Sequence, residues 1–275
     1  MRTFRLPGAG QWCLLALLLF NLLPIYFMFE NSFKSPIAFA SSTLNFPQEF
    51  LWSNYSTAWA KISEPILNSA LIIAMSVAAI VVFAAMSAYA FSRLRFPLQN
   101  TLFLLVFGLL LIPGFLTLIP LYLQIKKLGL SDSYWALILP YIAGGQAFSI
   151  FVLKTFFEQM PDELFEAARI DGAGNIRIFS TIVLPLSVPI CTTVAIINIT
   201  GLWNDYLLPS LLLNRSHQTV TMALVSFEAA AGNYGLSDYG GMMAAYLLAS
   251  IPLLLLFSLL MRNFVEGIAS GSIKM

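Results

Sequence analysis

Charged side chains that could bind a partner are concentrated in one stretch, from Lys154 to Arg177, which holds eight of the 14 basic and 13 acidic residues. At its centre, Ala167 and Ala168 form a small surface that another protein could approach closely, and Glu166 and Arg169 flank it with opposite charges. Such a surface suits insertion into a groove of a partner protein. A solvated connector is the alternative interpretation.

The same stretch has the pattern of a short helix, a turn and a second helix. Pro161 fits a first helical position, and Asp162 and Glu163 complement the positive end of a helix. Gly172 can adopt the left-handed conformation that ends it. Asn175 is then predicted to cap the second helix.

A second set of candidate residues lies near the end of an apolar run at 178–204. Neutral amide and hydroxyl groups suit an uncharged, hydroxyl-rich solute better than an ion, although a hydrogen bond to a neighbouring helix is the more frequent role of any single one. We expect Asn198 and Thr200 to face a pore. Three further residues, Trp203, Asn204 and Asp205, are expected near its external mouth.

The composition predicts a membrane protein. Of the 275 residues, 59% are hydrophobic and 10% are charged, whereas soluble domains have about 25% charged residues. The net charge of +1 indicates no nucleic-acid partner. Cys13 and Cys191 form neither a disulfide framework nor a metal cluster. The chain has no phosphate-binding loop of the G-x-x-x-x-G-K-[ST] type, so we expect it to bind no ATP and no other cofactor.

Long charge-free windows give the architecture. Each exceeds the roughly 20 apolar residues that cross a bilayer, and lipid requires such segments to be helices. We predict one all-α transmembrane domain over residues 1–275, with a cytoplasmic loop at 155–177 and six spans at about 10–31, 66–92, 99–122, 134–154, 178–204 and 241–263. A cleaved signal peptide is disfavoured because the first apolar run is too long for one.

Basic residues predict the orientation, since cytoplasmic loops carry the excess of Lys and Arg. Six spans place both termini on one side, which would hold nine of the 14 basic residues. Both termini are therefore expected in the cytoplasm. The external connections at 32–65 and 205–240 carry aromatic residues such as Trp52 and Tyr234, which either sit in the interfacial belt or contact an external protein.

Spaced motifs give a resemblance to a known family. Glu166-Ala167-Ala168, then Gly172 after three residues and Ile182-Val183-Leu184-Pro185 after nine more, resembles the EAA motif of binding-protein-dependent ABC importer permeases. From the second span onward the chain is similar to the carbohydrate (maltose-type) branch of that family. The similar segments include Ala88-Tyr89-Ala90-Phe91-Ser92-Arg93-Leu94-Arg95-Phe96, Leu128-Gly129-Leu130, Trp203-Asn204-Asp205 and Gly271-Ser272-Ile273-Lys274.

The resemblance implies a type I ABC importer permease in the cytoplasmic (inner) membrane, transporting a sugar or related polyol. It would pair with a second homologous permease, two ATPase subunits that bind ATP and Mg²⁺, and an extracytoplasmic solute-binding protein, surrounded by lipid. The EAA loop would be the helix that couples the permease to one ATPase subunit. The resemblance implies this role for Glu166, Ala167, Ala168, Arg169, Asp171 and Gly172.

Two other classes of protein remain as alternatives at this stage. An ion-coupled secondary sugar carrier needs ionisable or ion-coordinating groups within its spans, and an intramembrane enzyme needs paired catalytic groups there. The six charge-free windows, at 6–29, 65–92, 96–125, 133–153, 178–204 and 239–261, contain no Asp, Glu, Lys or Arg. The sequence does not identify the solute, and it does not decide whether the solute site lies on this chain or on the partner permease.

Overall fold

The described residues, 9–41, 43, 45–232 and 238–272 of a computed structural model, form helices and no strands. Four helices are long and apolar enough to cross a membrane: α1 (Ala9–Asn31), α3 (Ser53–Arg93), α6 (Trp135–Glu158) and α13 (Tyr239–Ser272). Two bent helix pairs bring the number of candidate spans to six. The predicted all-α membrane fold is confirmed.

The bent pairs occupy windows that hydropathy presents as single helices. In the first, α4 (Gln99–Gly108) and the 3-10 turn Leu109–Leu111 meet α5 (Gly114–Lys127) at 98°. Pro113, at the break, has extended backbone (φ −62°, ψ 125°). Because proline has no N–H, it cannot continue the hydrogen bonding of the preceding turn.

The second pair is broken at Ser187. It consists of α8 (Asn175–Ile178), a π-helical turn (Phe179–Val183) and α9 (Leu184–Leu186), followed at 73° by α10 (Val188–Trp203). Ser187 Oγ donates to the carbonyl oxygens of Val183 at 2.7 Å and Leu184 at 3.1 Å. The Ser187 N–H donates to the same two carbonyls at 3.0 and 3.2 Å, so the hydroxyl adds a second bond to each of them at the break.

The external connections contain more helix than the sequence predicts. Helix α2 (Pro36–Ser41) lies in the first, and α3 begins at Ser53, thirteen residues before the predicted span. The second contains α11 (Leu207–Leu212), a 3-10 turn at Arg215–His217 and α12 (Val220–Gly232). The charged residues Lys61 and Glu64 set the start of the second predicted span, because they lie just before its charge-free window. The helix α3 nevertheless continues through both of them. Tyr234, the chain termini and Lys274 lie outside the described residues.

The helices form two compact units, Met1–Glu64 with Ala223–Ile251, and Pro65–Met222 with Pro252–Met275. In the first, Lys34 and Glu30 form a buried ion pair at 3.0 Å. Both candidate sites lie in the second unit. Its larger apolar cluster joins α3, α6 and the segment 165–194 through fully buried residues such as Ala84, Ala88, Leu153, Phe157 and Ile178.

Candidate coupling loop and transport pathway

The EAA segment forms a nine-residue amphipathic helix, α7 (Asp162–Ile170), whose buried side is anchored by Phe165. Pro161 occupies the cap position before the helix (φ −58°, ψ 134°) and not its first turn. Asp162 and Glu163 fill the first turn, where negative side chains stabilise the positive helix end. Phe165 is 3% exposed and packs into the cluster shared with α3 and α6.

Gly172 ends α7 in a Schellman motif, as the sequence predicts. Its φ is +78°, its N–H donates to the Arg169 carbonyl at 3.0 Å, and the Ala173 N–H donates to the Ala168 carbonyl at 2.9 Å. This pair of bonds satisfies carbonyls at the helix end, and glycine allows the left-handed turn without a Cβ penalty. The spacing from Glu166-Ala167-Ala168 to Gly172 is therefore the spacing from the body of a short helix to its terminating residue.

The residues of the EAA segment differ in exposure. Ala168 is half-buried against the apolar cluster, so it packs within the chain and adds little to the outward surface expected of both alanines. The outward surface is formed by the exposed side of the second half of α7 and by the residues that follow the helix. It includes Glu166, Ala167, Arg169, Ile170, Asp171 and Gly172. Within the described part of the chain, no hydrogen bond or ion pair involves the Glu166 carboxylate.

The second helix of the loop begins differently from the prediction. Gly174, with extended backbone (φ −73°, ψ 164°), occupies the cap position, and Asn175 is the first helical residue and makes no capping side-chain bond. The predicted capping role of Asn175 is therefore wrong by one position. Ile176 is 85% exposed beside it, whereas Ile178 is buried.

Arg93, at the end of α3, contacts α7, and no pattern in the sequence indicates this contact. Its Nε donates to the Phe157 carbonyl at 3.1 Å, and its Nη2 donates to the carbonyls of Phe157 at 2.5 Å and Met160 at 2.6 Å. Its Nη1 pairs with Asp162, and its guanidinium lies 4.1 Å from the centre of the Phe165 ring. The guanidinium thus contacts the end of α6 and the start of α7.

A small pocket lies between α6 and α10, the helix that carries most of the candidate pathway residues. The pocket has a volume of about 240 Å³ and is lined by Pro140, Tyr141, Gly144, Gly145, Ile197, Asn198, Gly201 and Leu202. Glycines on both helices leave room at this level. A Cβ on Gly145 would come within 2.6 Å of Ile80 Cδ1 and 2.9 Å of Asn198 Oδ1, so Gly145 is required for close helix packing.

Of the five candidates, Asn198 is the one that lines this pocket. Its Nδ2 donates to Ser149 Oγ at 3.2 Å and to the Val194 carbonyl at 2.9 Å. The hydroxyl of Thr200 donates to the Ile196 carbonyl of its own helix at 2.8 Å, which leaves its oxygen able to accept a further bond.

The other three candidates lie at the end of α10. Trp203 is 8% exposed and packs inside the chain, and Asn204 donates to the Thr200 carbonyl of its own helix at 2.8 Å. Asp205 accepts hydrogen bonds from the Tyr141 hydroxyl at 2.8 Å and from the backbone N–H of Leu207 at 3.0 Å. Asp205 therefore fixes the start of α11 against α6.

Comparison with known proteins identifies the family. The model of the binding-protein-dependent transport system inner membrane component matches residues 80–270. The chain is 32% identical over 255 residues to the diacetylchitobiose uptake system permease protein of Streptomyces coelicolor, covering 92% of this chain and 84% of that protein. It is also 32% identical over 258 residues to the melibiose/raffinose/stachyose import permease protein of Bacillus subtilis, covering 92% of each.

The fold is also that of a solved transporter. A crystal structure of a bacterial ABC transporter involved in the import of the acidic polysaccharide alginate contains a chain that superposes with a TM-score of 0.78 at 20% identity, covering 94% of this chain and 99% of that one. The chain belongs to the family of binding-protein-dependent transport system inner membrane components. It is a multi-pass permease subunit of an ABC importer, and the importer hypothesis is favoured over the secondary carrier.

Proposed function

We propose that this permease translocates a neutral sugar or related polyol across the cytoplasmic membrane. The names of the two relatives describe uptake of diacetylchitobiose and of melibiose, raffinose or stachyose. The pocket between α6 and α10 fits such a solute, because its polar side chains, Asn198 and Tyr141, are uncharged hydrogen-bonding groups. We propose that Asn198 and Thr200 face the pathway and that Trp203, Asn204 and Asp205 frame its external end.

The proposed complex contains this chain, a second homologous permease and two ATP-binding cassette ATPase subunits. ATP and Mg²⁺ would bind on the ATPase subunits, and an extracytoplasmic solute-binding protein would deliver the solute. Both termini and the loop 155–177 would face the cytoplasm, where the loop can reach an ATPase subunit. Membrane lipid would surround the remaining surface.

We propose that α7 is the coupling helix. The observation that supports this most directly is its exposed face, where the Glu166 carboxylate has no partner among the described residues, while the buried Phe165 side chain anchors α7 to the rest of the chain. A carboxylate held in this way is available to a basic residue of an ATPase cleft. Closure of the ATPase subunits around ATP would move α7, and the attached helices would then change the side to which the pathway opens.

Glu166→Ala tests this proposal. An exposed carboxylate contributes about 0–1 kcal/mol to the stability of its own chain, whereas loss of a buried interface charge costs about 2–5 kcal/mol of binding energy. We therefore expect the variant to insert normally while ATPase docking and uptake fall sharply. Copurification of the ATPase subunits and uptake in membrane vesicles are the two measurements.

Glu163→Ala is the matched control, because Glu163 is an exposed carboxylate one helical turn earlier. It should lower ATPase docking much less than Glu166→Ala. If Glu166→Ala and Glu163→Ala both assemble and transport as the unaltered permease does, α7 is a solvated connector and the coupling assignment is wrong.

A further inference from the structure

Arg93 combines low exposure with contacts to two other helices. Its side chain is only 10% exposed, although it lies at the last residue of α3, where a long cationic side chain could extend into water. Four of its contacts are polar: three bonds to the carbonyls of Phe157 and Met160, and the pairing with Asp162. The fifth is the cation–π contact with Phe165.

These contacts use the particular shape of the guanidinium group. The carbonyl oxygens that end α6 carry partial negative charge, and Asp162 carries a full one, so a cation between them satisfies both. The planar fork donates in several fixed directions while its face covers the Phe165 ring. A lysine would keep the charge, but as a point charge it could not reproduce this set of contacts.

The covalent chain leaves α3 separate from α7. Residues 159–161 join α7 to α6, and residues 171–174 join it to α8, but Arg93 and Asp162 are 69 residues apart in sequence. α3 contributes Ala84, Ala88 and Tyr89 to the apolar cluster that contains Phe165, and apolar contacts of this kind are not directional. Directional bonds from Arg93 therefore supply the connection that resists sliding of one helix along the other.

We propose that Arg93 is a positioning residue that fastens the coupling helix to α3, so that α3 moves with α7 when the ATPase subunits close. This inference rests on the proposed coupling role of α7 and adds a third helix to the two that the chain connects to it directly. Arg93 acts by fixing the position of Asp162 and Phe165.

The experiment is a distance measurement between nitroxide labels on residues 95 and 163, both exposed, in the full complex in nanodiscs. The complex is measured without nucleotide and after trapping with ATP and vanadate. With Arg93 intact, we expect one narrow distribution that stays unchanged on trapping. In Arg93→Lys we expect a broader distribution that shifts on trapping by about 2 Å, the size of helix movements at interfaces.

Arg177→Lys is the matched control, since Arg177 is an exposed arginine of α8 and the chemical change is the same. It should leave the distribution unchanged. If Arg93→Lys does not assemble, Asp162→Ala is measured instead, because it removes only the contact on α7 and leaves the carbonyls of α6 bonded to Arg93. The label at position 163 replaces the Glu163 carboxylate in every sample, so the loss of that charge is common to all of them.

Two results would overturn the inference. One is a 95–163 distance that changes on trapping in the unaltered complex, since the two helices would then move independently. The other is a distribution in Arg93→Lys, or in Asp162→Ala where that replaces it, identical to that of the unaltered complex. Failure of the proposed coupling function is recognised separately, by a Glu166→Ala variant that copurifies with the ATPase subunits and transports as the unaltered permease does.

Discussion

Asn198 connects two roles that polar residues have within membranes, since it bonds Ser149 of a neighbouring helix and also lines a pocket. A hydrogen bond between membrane helices contributes about 1 kcal/mol or less, so assembly does not depend on it. The Oδ1 atom, which lies beside Gly145, is the group that a hydroxylated solute could use. The pathway role is therefore testable by a change that removes only polarity.

Asn198→Leu is expected to reduce uptake while the permease still assembles, because leucine has the same branching and the same number of side-chain heavy atoms but no hydrogen-bonding group. Uptake of the sugar carried by the cognate binding protein, measured over a range of concentrations, checks this. Thr192→Val is the control: Thr192 bonds only the Val188 carbonyl of its own helix among the described contacts, and it lies away from the pocket. Equal uptake in Asn198→Leu and the control would remove Asn198 from the pathway.

Gly172→Val should destabilise the coupling loop. The φ of +78° is unfavourable for a β-branched residue, and the left-handed conformation costs about 1–2 kcal/mol for a residue with a Cβ. The expected result is a lower melting temperature of the purified permease, together with weaker ATPase docking. Gly174→Ala is the comparison, because Gly174 has a φ of −73° and no atom within 4 Å of an added Cβ; it should melt close to the unaltered protein.

Among the helices, the breaks at Pro113 and Ser187 show what hydropathy can and cannot predict. Apolar composition identifies where helices occur, because it reports burial in lipid. It does not report a break, since the residues on both sides are equally apolar. Proline is ambiguous as well: Pro113 lies at the break, whereas Pro120 and Pro252 lie inside continuous helices.

Asp132 fastens the segment 213–217 to the turn between α5 and α6. Its carboxylate accepts the backbone N–H of Asn214 at 2.9 Å and contacts His217 Nδ1 at 3.1 Å. The bond from the Asn214 backbone, followed by that from His217, lowers the pKa of Asp132 below its ordinary value of 3.8. The stabilisation from this group is therefore fully present above that value, and it is lost as the pH falls through the lowered pKa.

The corresponding prediction compares the unaltered permease with Asp132→Asn. Asparagine tolerates the left-handed backbone at this position (φ 56°), so the variant removes the charge without strain. We expect it to melt at a lower temperature near pH 7, and the difference should shrink as the pH falls through the acid range below 4. Glu49→Gln, an exposed carboxylate elsewhere, should show no such convergence. A pH-independent difference would contradict the explanation.

For the molecule as a whole, orientation in the membrane is the main property that remains a prediction. Nine of the 14 basic residues fall on the side of the termini, which favours a cytoplasmic location for them. In a variant without Cys13 and Cys191, single cysteines at Ser53 and Ser216 should react with a membrane-impermeant thiol reagent in intact cells, and one at Gly174 should not. All three positions are exposed. Labelling of position 174 from outside would reverse the topology.

Local patterns predict local structure well in this molecule, and contacts between distant segments are what they miss. The start of α7 near Pro161 and its end at Gly172 follow from short-range backbone preferences, which are present in the sequence itself. The pairing of Arg93 with Asp162 depends on how three helices meet. Arg95 stands two residues away in the same motif with the same charge and is exposed, so residue type alone could not have separated them.

Helix α1 has a consequence for how the protein is made. Its most apolar 18-residue window is 0% buried within the chain, so its stability in lipid comes from its own backbone bonds and apolar surface. A segment of this kind can enter the bilayer during synthesis before any later helix exists to receive it. The sequence of α1 is then constrained by its hydrophobic length more than by packing against other helices of the chain. An unrelated apolar helix of the same length should therefore replace it during biogenesis.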